Sequence, residues 1–112
     1  MNKEVTAKSY TLRTENDAWL GQIVLTSDGS FMSITDYGNF SFAWRHHGED
    51  DFRQFLIGLD KDYFANKMCQ GMAYVAYGKK IDAACNRFAE KILLPLQTIL
   101  RNEIENEEMS HE

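Results

Sequence analysis

The fold is decided by residues 19–45, WLGQIVLTSDGSFMSITDYGNFSFAWR. Apolar and polar side chains alternate along this stretch with a period of two, which is typical of half-buried strands. Three strands are predicted, over residues 19–26, 31–36 and 40–45. The short segments between them carry Asp, Asn and Gly, which readily adopt the left-handed geometry of tight turns. The stretch therefore predicts an antiparallel meander.

A further strand is predicted before this stretch, over residues 8–13, where Tyr10 and Leu12 alternate with polar side chains. In residues 19–26 both sets of alternating positions carry apolar side chains. A strand with two apolar faces is expected to lie centrally in its sheet. The N-terminal half thus predicts a meander of three to four strands.

The last predicted strand places three aromatic side chains, Phe40, Phe42 and Trp44, on one of its faces. Three aromatic side chains at this spacing indicate a face that the rest of the chain covers. The opposite face is expected to stay open to solvent or to a partner. It carries the side chains of Asn39, Ser41, Ala43 and Arg45.

The second half of the chain changes to a helical period. An acidic run, residues 49–51, is typical of a helix N-terminus and precedes a short predicted helix. A second helix, capped by Asp60 or Asp62, is expected to run to about Tyr77. The longest predicted helix runs from Ile81.

Two features are expected to disturb this last helix. Pro95 lacks the N–H that a helix needs, so a kink or a break into two helices is expected there. From about Glu103 the sequence is acidic, which predicts a frayed tail. Strands followed by helices predict a single α+β domain over residues 1–112, with two to four helices packed on one face of the sheet.

Composition limits the classes of function. The 112 residues include 12 Lys and Arg against 17 Asp and Glu, a formal net charge of −5. This charge disfavours direct binding to nucleic acids and anionic lipids, which are negatively charged themselves. Residues 1–5 lack the apolar region of a signal peptide, and no run approaches the length of a membrane span. We therefore expect no membrane association and a protein that stays in the cytoplasm where it is made.

Two groups of residues could carry chemistry. His46 and His47 lie close to Asp50 and Asp51, a collection of imidazoles and carboxylates that a metal or acid–base site would use. Neighbouring side chains on an extended segment point to opposite sides, however, and helix capping accounts for the carboxylates. Cys69 and Cys85 lack metal-ligand spacing and are expected to be reduced, buried thiols. We predict no catalytic residue, metal or cofactor, and keep a metal-dependent hydrolase around His46 and His47 as an alternative.

Aromatic residues are the one excess in the composition: two Trp, five Tyr and seven Phe. Most are expected in the core, while Tyr37, Trp44, Tyr74 and Tyr77 are candidates for an exposed patch. Such a patch could also stack the bases of single-stranded nucleic acid. Only Arg45 and Arg53 lie nearby in sequence to balance its phosphates. Single-strand binding by a replication or structural protein is therefore a second alternative.

Three segments of the chain resemble a pattern found in small accessory proteins of bacteriophages and prophages. They are DYGNFSFAW at residues 36–44, DFRQFL at residues 51–56 and LDKDYFANKM at residues 59–68. The resemblance implies a phage-encoded protein made in the cytoplasm of a host bacterium. It also implies action by binding and blocking a host machine, as anti-CRISPR inhibitors do.

The resulting hypothesis is a non-enzymatic inhibitor that occupies a surface of a host protein or nucleoprotein complex. The predicted interface comprises Tyr37, Asn39, Trp44, Arg45, His46, His47, Asp50 and Asp51, with the acidic residues steering the protein toward a basic groove. A homodimer through the helix from Ile81 is also expected, because Leu93 and Leu94 lie off its main apolar stripe.

Overall fold

The computed structural model describes residues 4–72 and 78–110, with strands followed by helices as predicted. The strands are β1 Ala7–Arg13, β2 Trp19–Thr26, β3 Ser30–Thr35 and β4 Ser41–Ala43. The helices are α1 Phe52–Ile57, α2 Lys61–Met72 and α3 Lys79–Met109. The α+β class is confirmed. The expected end of the second helix near Tyr77 and the candidate patch residues Tyr74 and Tyr77 lie outside the described residues.

The four strands form one antiparallel sheet in the order β1-β2-β3-β4, so β2 has a neighbour on each side, as predicted. β4 is shorter than the predicted strand, but hydrogen bonds continue beyond it, with the Trp44 N–H donating to the Gly29 carbonyl at 2.8 Å. Gly29 has a φ of +96°, and a Cβ there would collide with the Trp44 carbonyl oxygen. The predicted Asp-Gly turn therefore needs glycine for its conformation and for space.

A β-bulge interrupts the pairing of β1 with β2. Leu12 pairs with Gly21 while the next residue, Arg13, pairs with Trp19, so Leu20 is an extra residue in β2. A bulge of this kind changes which side chains point to each face. Leu20 is buried at 6% exposure, whereas Trp19 is left 42% exposed.

The core lies between the inward face of the sheet and the helices. Three fully buried rings mark its centre, Phe31 in β3, Phe64 in α2 and Phe88 in α3. The ring centroids of Phe31 and Phe64 are 5.4 Å apart in an edge-to-face arrangement, and those of Phe64 and Phe88 are 6.0 Å apart. Burying each ring stabilises the fold by roughly 1.5–3 kcal/mol. The helices thus cover one face of the sheet.

The predicted aromatic face of the last strand is part of this covered side. Phe40 and Trp44 are buried and Phe42 is partly buried. The Trp44 ring lies 4.8 Å from the Phe42 ring and 5.9 Å from that of Phe52 in α1, between centroids. The prediction that this face is covered is confirmed.

The starts of the first two helices use the capping residues that the sequence suggested. The Asp51 carboxylate accepts a hydrogen bond from the Arg53 N–H at 2.9 Å, at the N-terminus of α1. The Asp60 carboxylate accepts one from the Tyr63 N–H at 2.7 Å, at the start of α2. Of the two predicted caps for α2, Asp60 therefore has this role.

α3 is one continuous helix of 31 residues, so of the kink or break expected at Pro95, the break into two helices is wrong. Buried side chains on both sides of the proline, Ile92 and Leu96 among them, hold the helix against the core. The buried Gln97 amide also donates hydrogen bonds to the carbonyls of Leu56, Ile57 and Leu59 at 3.0, 3.1 and 2.9 Å. Tertiary contacts thus outweigh the hydrogen bond that Pro95 removes.

The prediction of a frayed tail from about Glu103 is also wrong, because α3 remains helical to Met109. A cluster of charged and polar groups holds its C-terminal part against β1 and α1. We call it the Arg53 cluster, and it comprises Lys8, Tyr10, Asp51, Arg53, Glu103 and Glu107. The Arg53 guanidinium donates to Asp51 at 2.6 Å and to Glu107 at 2.6 Å, and it also bonds Glu103. These contacts keep the acidic residues in the helix.

The hydrogen bonds of the Arg53 cluster shift the pKa values of its members. Those donated by Arg53 lower the pKa of Asp51. Burial by itself raises the pKa of Glu103, but hydrogen bonds from Lys8, Tyr10 and Arg53 outweigh burial and lower it. Burial and the hydrogen bond to Glu103 raise the pKa of Tyr10, which donates at 2.7 Å. At neutral pH the carboxylates of Asp51 and Glu103 are therefore ionised, and the Tyr10 phenol is protonated, in the folded protein.

The two cysteines are free thiols on facing helices. Cys85 in α3 is buried, as predicted, whereas Cys69 in α2 is only partly buried and its thiol donates to Asp82 at 3.4 Å. Burial, with hydrogen bonds to Cys85 and Asp82, raises the pKa of Cys69 to about 12. The Cys69 thiol is therefore protonated at neutral pH.

Over the described residues, none of the helices is both long and apolar enough to span a lipid bilayer.

We expect Arg53→Gln to lower the free energy of unfolding by about 1–3 kcal/mol, because the partly buried Glu103 loses a charged donor. Urea unfolding followed by circular dichroism measures the change. Arg45→Gln is the matched control, since Arg45 also pairs with an aspartate, Asp28 at 3.1 Å, but on the surface. That variant is expected to lose much less stability than Arg53→Gln, because solvent screens an exposed pair. Equal losses in both variants would contradict the role assigned to Arg53.

The lowered pKa values of Asp51, Glu103 and Glu107 predict how stability depends on pH. A carboxylate with a lowered pKa stabilises the fold above its unfolded pKa of about 4, and this contribution is lost as pH falls through the folded value. We expect the free energy of unfolding to decrease as the pH is lowered from about 4. The decrease should be less steep in Glu103→Gln than in the wild type. Urea unfolding at a series of pH values tests this. Parallel curves for the wild type and the variant would refute it.

Candidate functional site

The sheet has an outer face that lies opposite the helices. Strand pairing aligns Val24 of β2 with Met32 of β3, and Met32 with Ser41 of β4. On the next outward row, Gln22 lies beside Ile34. We call this surface the open face, and it comprises Ser9, Thr11, Trp19, Gln22, Val24, Met32, Ile34 and Ser41.

Three large apolar side chains of the open face are exposed to solvent. Ile34 is 61% exposed, and Met32 and Trp19 are each 42% exposed. The alternate residues of β3, Phe31 and Ser33, are buried on the other side of the strand. The contrast follows from the period of two in a strand, because within the described ranges 4–72 and 78–110 the helices pack against one face of this sheet.

The rest of the open face is polar but uncharged. Gln22 donates a hydrogen bond from its amide to the Ser9 hydroxyl at 2.7 Å. Thr11 and Ser41 add further hydroxyl groups, and none of the eight side chains carries a charge. The surface therefore has an apolar centre with hydrogen-bonding groups beside it.

An ion pair borders this face at the turn between β2 and β3. Arg45 and Asp28 are 3.1 Å apart. A hydrogen bond from Thr26, together with Arg45, lowers the pKa of Asp28. A groove of about 340 Å³ lies beside this pair and reaches Met32 of the open face. Charge is thus present at the edge of the surface and absent from its middle.

Trp44, which the sequence analysis placed on the interface, is instead buried at 6% exposure. Its indole N–H donates to the Tyr63 hydroxyl at 3.3 Å, and its ring packs on Phe42, Phe52 and Phe55. The prediction is wrong because Trp44 shares a strand face with Phe40, and the helices cover that face. Trp44 belongs to the core.

The other predicted interface residues lie at the two ends of β4 and in the loop that follows it. Tyr37 and Asn39 lie at the turn between β3 and β4, where Asn39 accepts a hydrogen bond from the Thr35 N–H at 3.2 Å. Arg45 lies beyond the opposite end of β4, six residues after Asn39. Six residues of extended chain span about 20 Å. Tyr37 and Asn39 therefore lie at one end of the strand and Arg45 at the other.

The two histidines and the neighbouring carboxylates make different contacts. His46 and Asp50 are exposed. The His47 ring packs 5.3 Å from that of Phe52, and its Nδ1 accepts a hydrogen bond from the Glu49 N–H at 3.2 Å. Asp51 is held by Arg53. Across residues 4–72 and 78–110, no three His, Cys, Asp or Glu side chains come together as a group that could hold a metal ion.

The exposed apolar side chains of the open face were not predicted from the sequence. A signal for Met32 and Ile34 was available, because they alternate with Phe31 and Ser33 in β3. Two apolar sets on one strand mean that one set is exposed unless both faces of the sheet are covered. For Trp19 the sequence held no such signal, since its exposure depends on the bulge between β1 and β2.

Comparison with known proteins gives a family match. The family model Phage_phiTE_072, described as a phage family, matches residues 1–94. The matched residues include all four strands, α1, α2 and the first part of α3. Searches of curated proteins and of solved structures found no match.

Two residues of β3 that lie on opposite faces of the sheet test the assignment of the open face. We expect Ile34→Thr to change the free energy of unfolding by less than about 0.5 kcal/mol, because the side chain is exposed and threonine keeps the β-branched shape. Phe31→Leu removes part of a fully buried ring and is expected to cost about 1–2 kcal/mol. Urea unfolding measures both. A loss at Ile34 as large as that at Phe31 would show that the outer face is covered.

Proposed function

The chain belongs to this phage family, and from that premise we propose that it is a non-enzymatic accessory protein that binds a component of the host bacterium. The binding partner is a host protein or nucleoprotein complex in the host cytoplasm. Binding blocks a surface that the partner needs for its own activity. Inhibition of a host defence complex, the anti-CRISPR type of action, is the specific form that the sequence resemblance suggests.

The open face is the observation that carries this proposal. Its exposed Trp19, Met32 and Ile34 resemble the composition of protein interfaces, whose buried centres are rich in aromatic residues and methionine. The neighbouring hydroxyl and amide groups are suited to the polar rim of such an interface. Large apolar side chains grouped on the surface of a small protein are typical of a binding site.

The chemistry of the open face favours a protein over a nucleic acid as the direct partner. Binding of a nucleic-acid strand requires cations along its phosphates. The eight named side chains of the open face include none, and Arg13, which strand alternation directs to the same side beside Trp19, is paired with Asp17 at 3.8 Å. Trp19 alone could stack a base, so single-strand binding has little support from this surface. An apolar patch on a host protein matches the face better.

A sheet face is a rigid platform for such binding. Its side chains project from strands whose register is fixed by backbone pairing, as between β2 and β3. The backbone of the face therefore loses little conformational entropy when a partner is bound. The net charge of −5 favours encounter with a basic partner surface, and exposed Asp50 contributes to that charge. Affinity then depends on the apolar contacts and association rate on the charge.

Affinity capture from the host bacterium tests the proposal. The wild-type protein is expected to copurify with a stoichiometric host protein, and Ile34→Arg is expected to weaken binding of that purified protein at least about tenfold, because a charge enters the apolar centre. Asn66→Arg introduces the same charge at an exposed position of α2 and is the matched control. It is expected to bind like the wild type. The activity of the purified partner should fall with wild type and recover with Ile34→Arg.

Three outcomes count against the proposal. Recovery of no stoichiometric host protein would contradict action by binding. Equal recovery by the wild type and Ile34→Arg would contradict use of the open face. A partner whose activity is unchanged when the wild-type protein is bound would contradict inhibition.

A further inference from the structure

The solvent-facing side of α3 carries a second distinctive pattern, remote from the open face. Four exposed residues lie along one stripe of this helix: Arg87, Leu94, Thr98 and Glu105. Leu94 is 65% exposed, although leucine is normally buried. Within residues 4–72 and 78–110, neither Arg87 nor Glu105 forms an intramolecular ion pair.

This stripe is symmetric in position and complementary in charge. Arg87 and Glu105 lie nine residues to either side of Leu96, and Leu94 and Thr98 lie two residues to either side of it. An antiparallel helix pair related by a two-fold axis at this level places Arg87 opposite Glu105 of the second copy, twice. It also brings Leu94 against Thr98 of the second copy. A parallel helix pair would instead place Arg87 against Arg87 and Glu105 against Glu105 of the second copy.

We propose that α3 pairs with α3 of a second copy of this chain in antiparallel orientation, centred on Leu96. This proposal goes beyond the proposed function, because it uses a different surface and a different partner. The dimer was expected from the sequence because Leu93 and Leu94 lie off the main apolar stripe, and the structure changes that reason. Leu93 is buried in the core, so Leu94 alone of that pair is available to a second copy.

The charges beside the stripe agree with this arrangement. Glu90 lies on one flank of the helix and faces Arg101 of the second copy, in addition to its 3.5 Å contact with Lys61 of its own chain. Lys91 lies on the other flank, where its ammonium group is 5.8 Å from the centre of the Tyr37 ring. The flank that carries Arg101 is therefore not the flank that carries Lys91, and like charges are kept apart.

A groove next to the stripe adds apolar surface to that of Leu94. It has a volume of about 730 Å³ and lies between the middle of α3 and the end of the β1–β2 hairpin. Its apolar lining comprises Leu12, Leu20, Tyr37, Leu94, Pro95 and Ile99. A helix of the second copy that lies along Leu94 borders this groove and covers part of its lining. Exposed ion pairs contribute little each, so a weak dimer in the micromolar range is expected.

Charge reversal with rescue tests the proposal. Sedimentation equilibrium from about 1 to 200 µM is expected to show a monomer–dimer equilibrium for the full wild-type chain. Arg87→Glu and Glu105→Arg should each raise the dissociation constant of the dimer at least about tenfold, because like charges then meet twice. The double variant Arg87→Glu/Glu105→Arg should return it to within about threefold of the wild type. All these residues are exposed, and circular dichroism checks that each variant is folded.

Several results would overturn the proposal. A wild-type chain that stays monomeric throughout this range would do so, as would single variants that dimerise like the wild type or a double variant that is not rescued. Loss of the dimer in Ile34→Arg, with no effect of Arg87→Glu, would place self-association on the open face instead. A different result would support the proposal. If Arg87→Glu abolishes dimerisation but still binds the host protein, the dimer is independent of the proposed function.

Discussion

The organisation of the molecule depends on one constraint: a four-stranded sheet has two faces, and the helices cover only one of them. Phe31, Phe64 and Phe88 meet on the covered side and exclude water from it. The opposite side has no such neighbours among the described residues, so the apolar side chains that β3 directs outward stay exposed. The same alternation therefore makes the core and the candidate binding surface.

The Arg53 cluster is the second determinant, because it connects parts of the chain that are far apart in sequence. Arg53 in α1 contacts Glu103 in α3 across fifty residues of sequence, and Glu103 also bonds Lys8 and Tyr10 of β1. The cluster turns an acidic segment that resembles a disordered tail into the end of a long helix. As a result α3 presents a continuous solvent-facing stripe from Arg87 to Glu105, on which the proposed self-association depends.

The two proposed surfaces have different chemistry and therefore different partners. The open face is uncharged and apolar at its centre, which fits an apolar area on a host protein. The α3 stripe has a single exposed leucine between charges of opposite sign, which fits its own symmetric copy. Both interactions are proposals for a member of the phage family to which the chain belongs.

The sequence by itself determined the order of elements, the turns and the covered strand face, because alternation, glycine placement and helix caps are local properties. It predicted Asp60 or Asp62 as a cap and Phe40 as a residue on the covered face, and it predicted the open second face without its apolar side chains. Only the tertiary structure decided that Trp19 is exposed by a bulge and that α3 passes through Pro95 to Met109. These outcomes depend on contacts between distant residues, whose free energies outweigh local preference and leave no pattern in neighbouring positions.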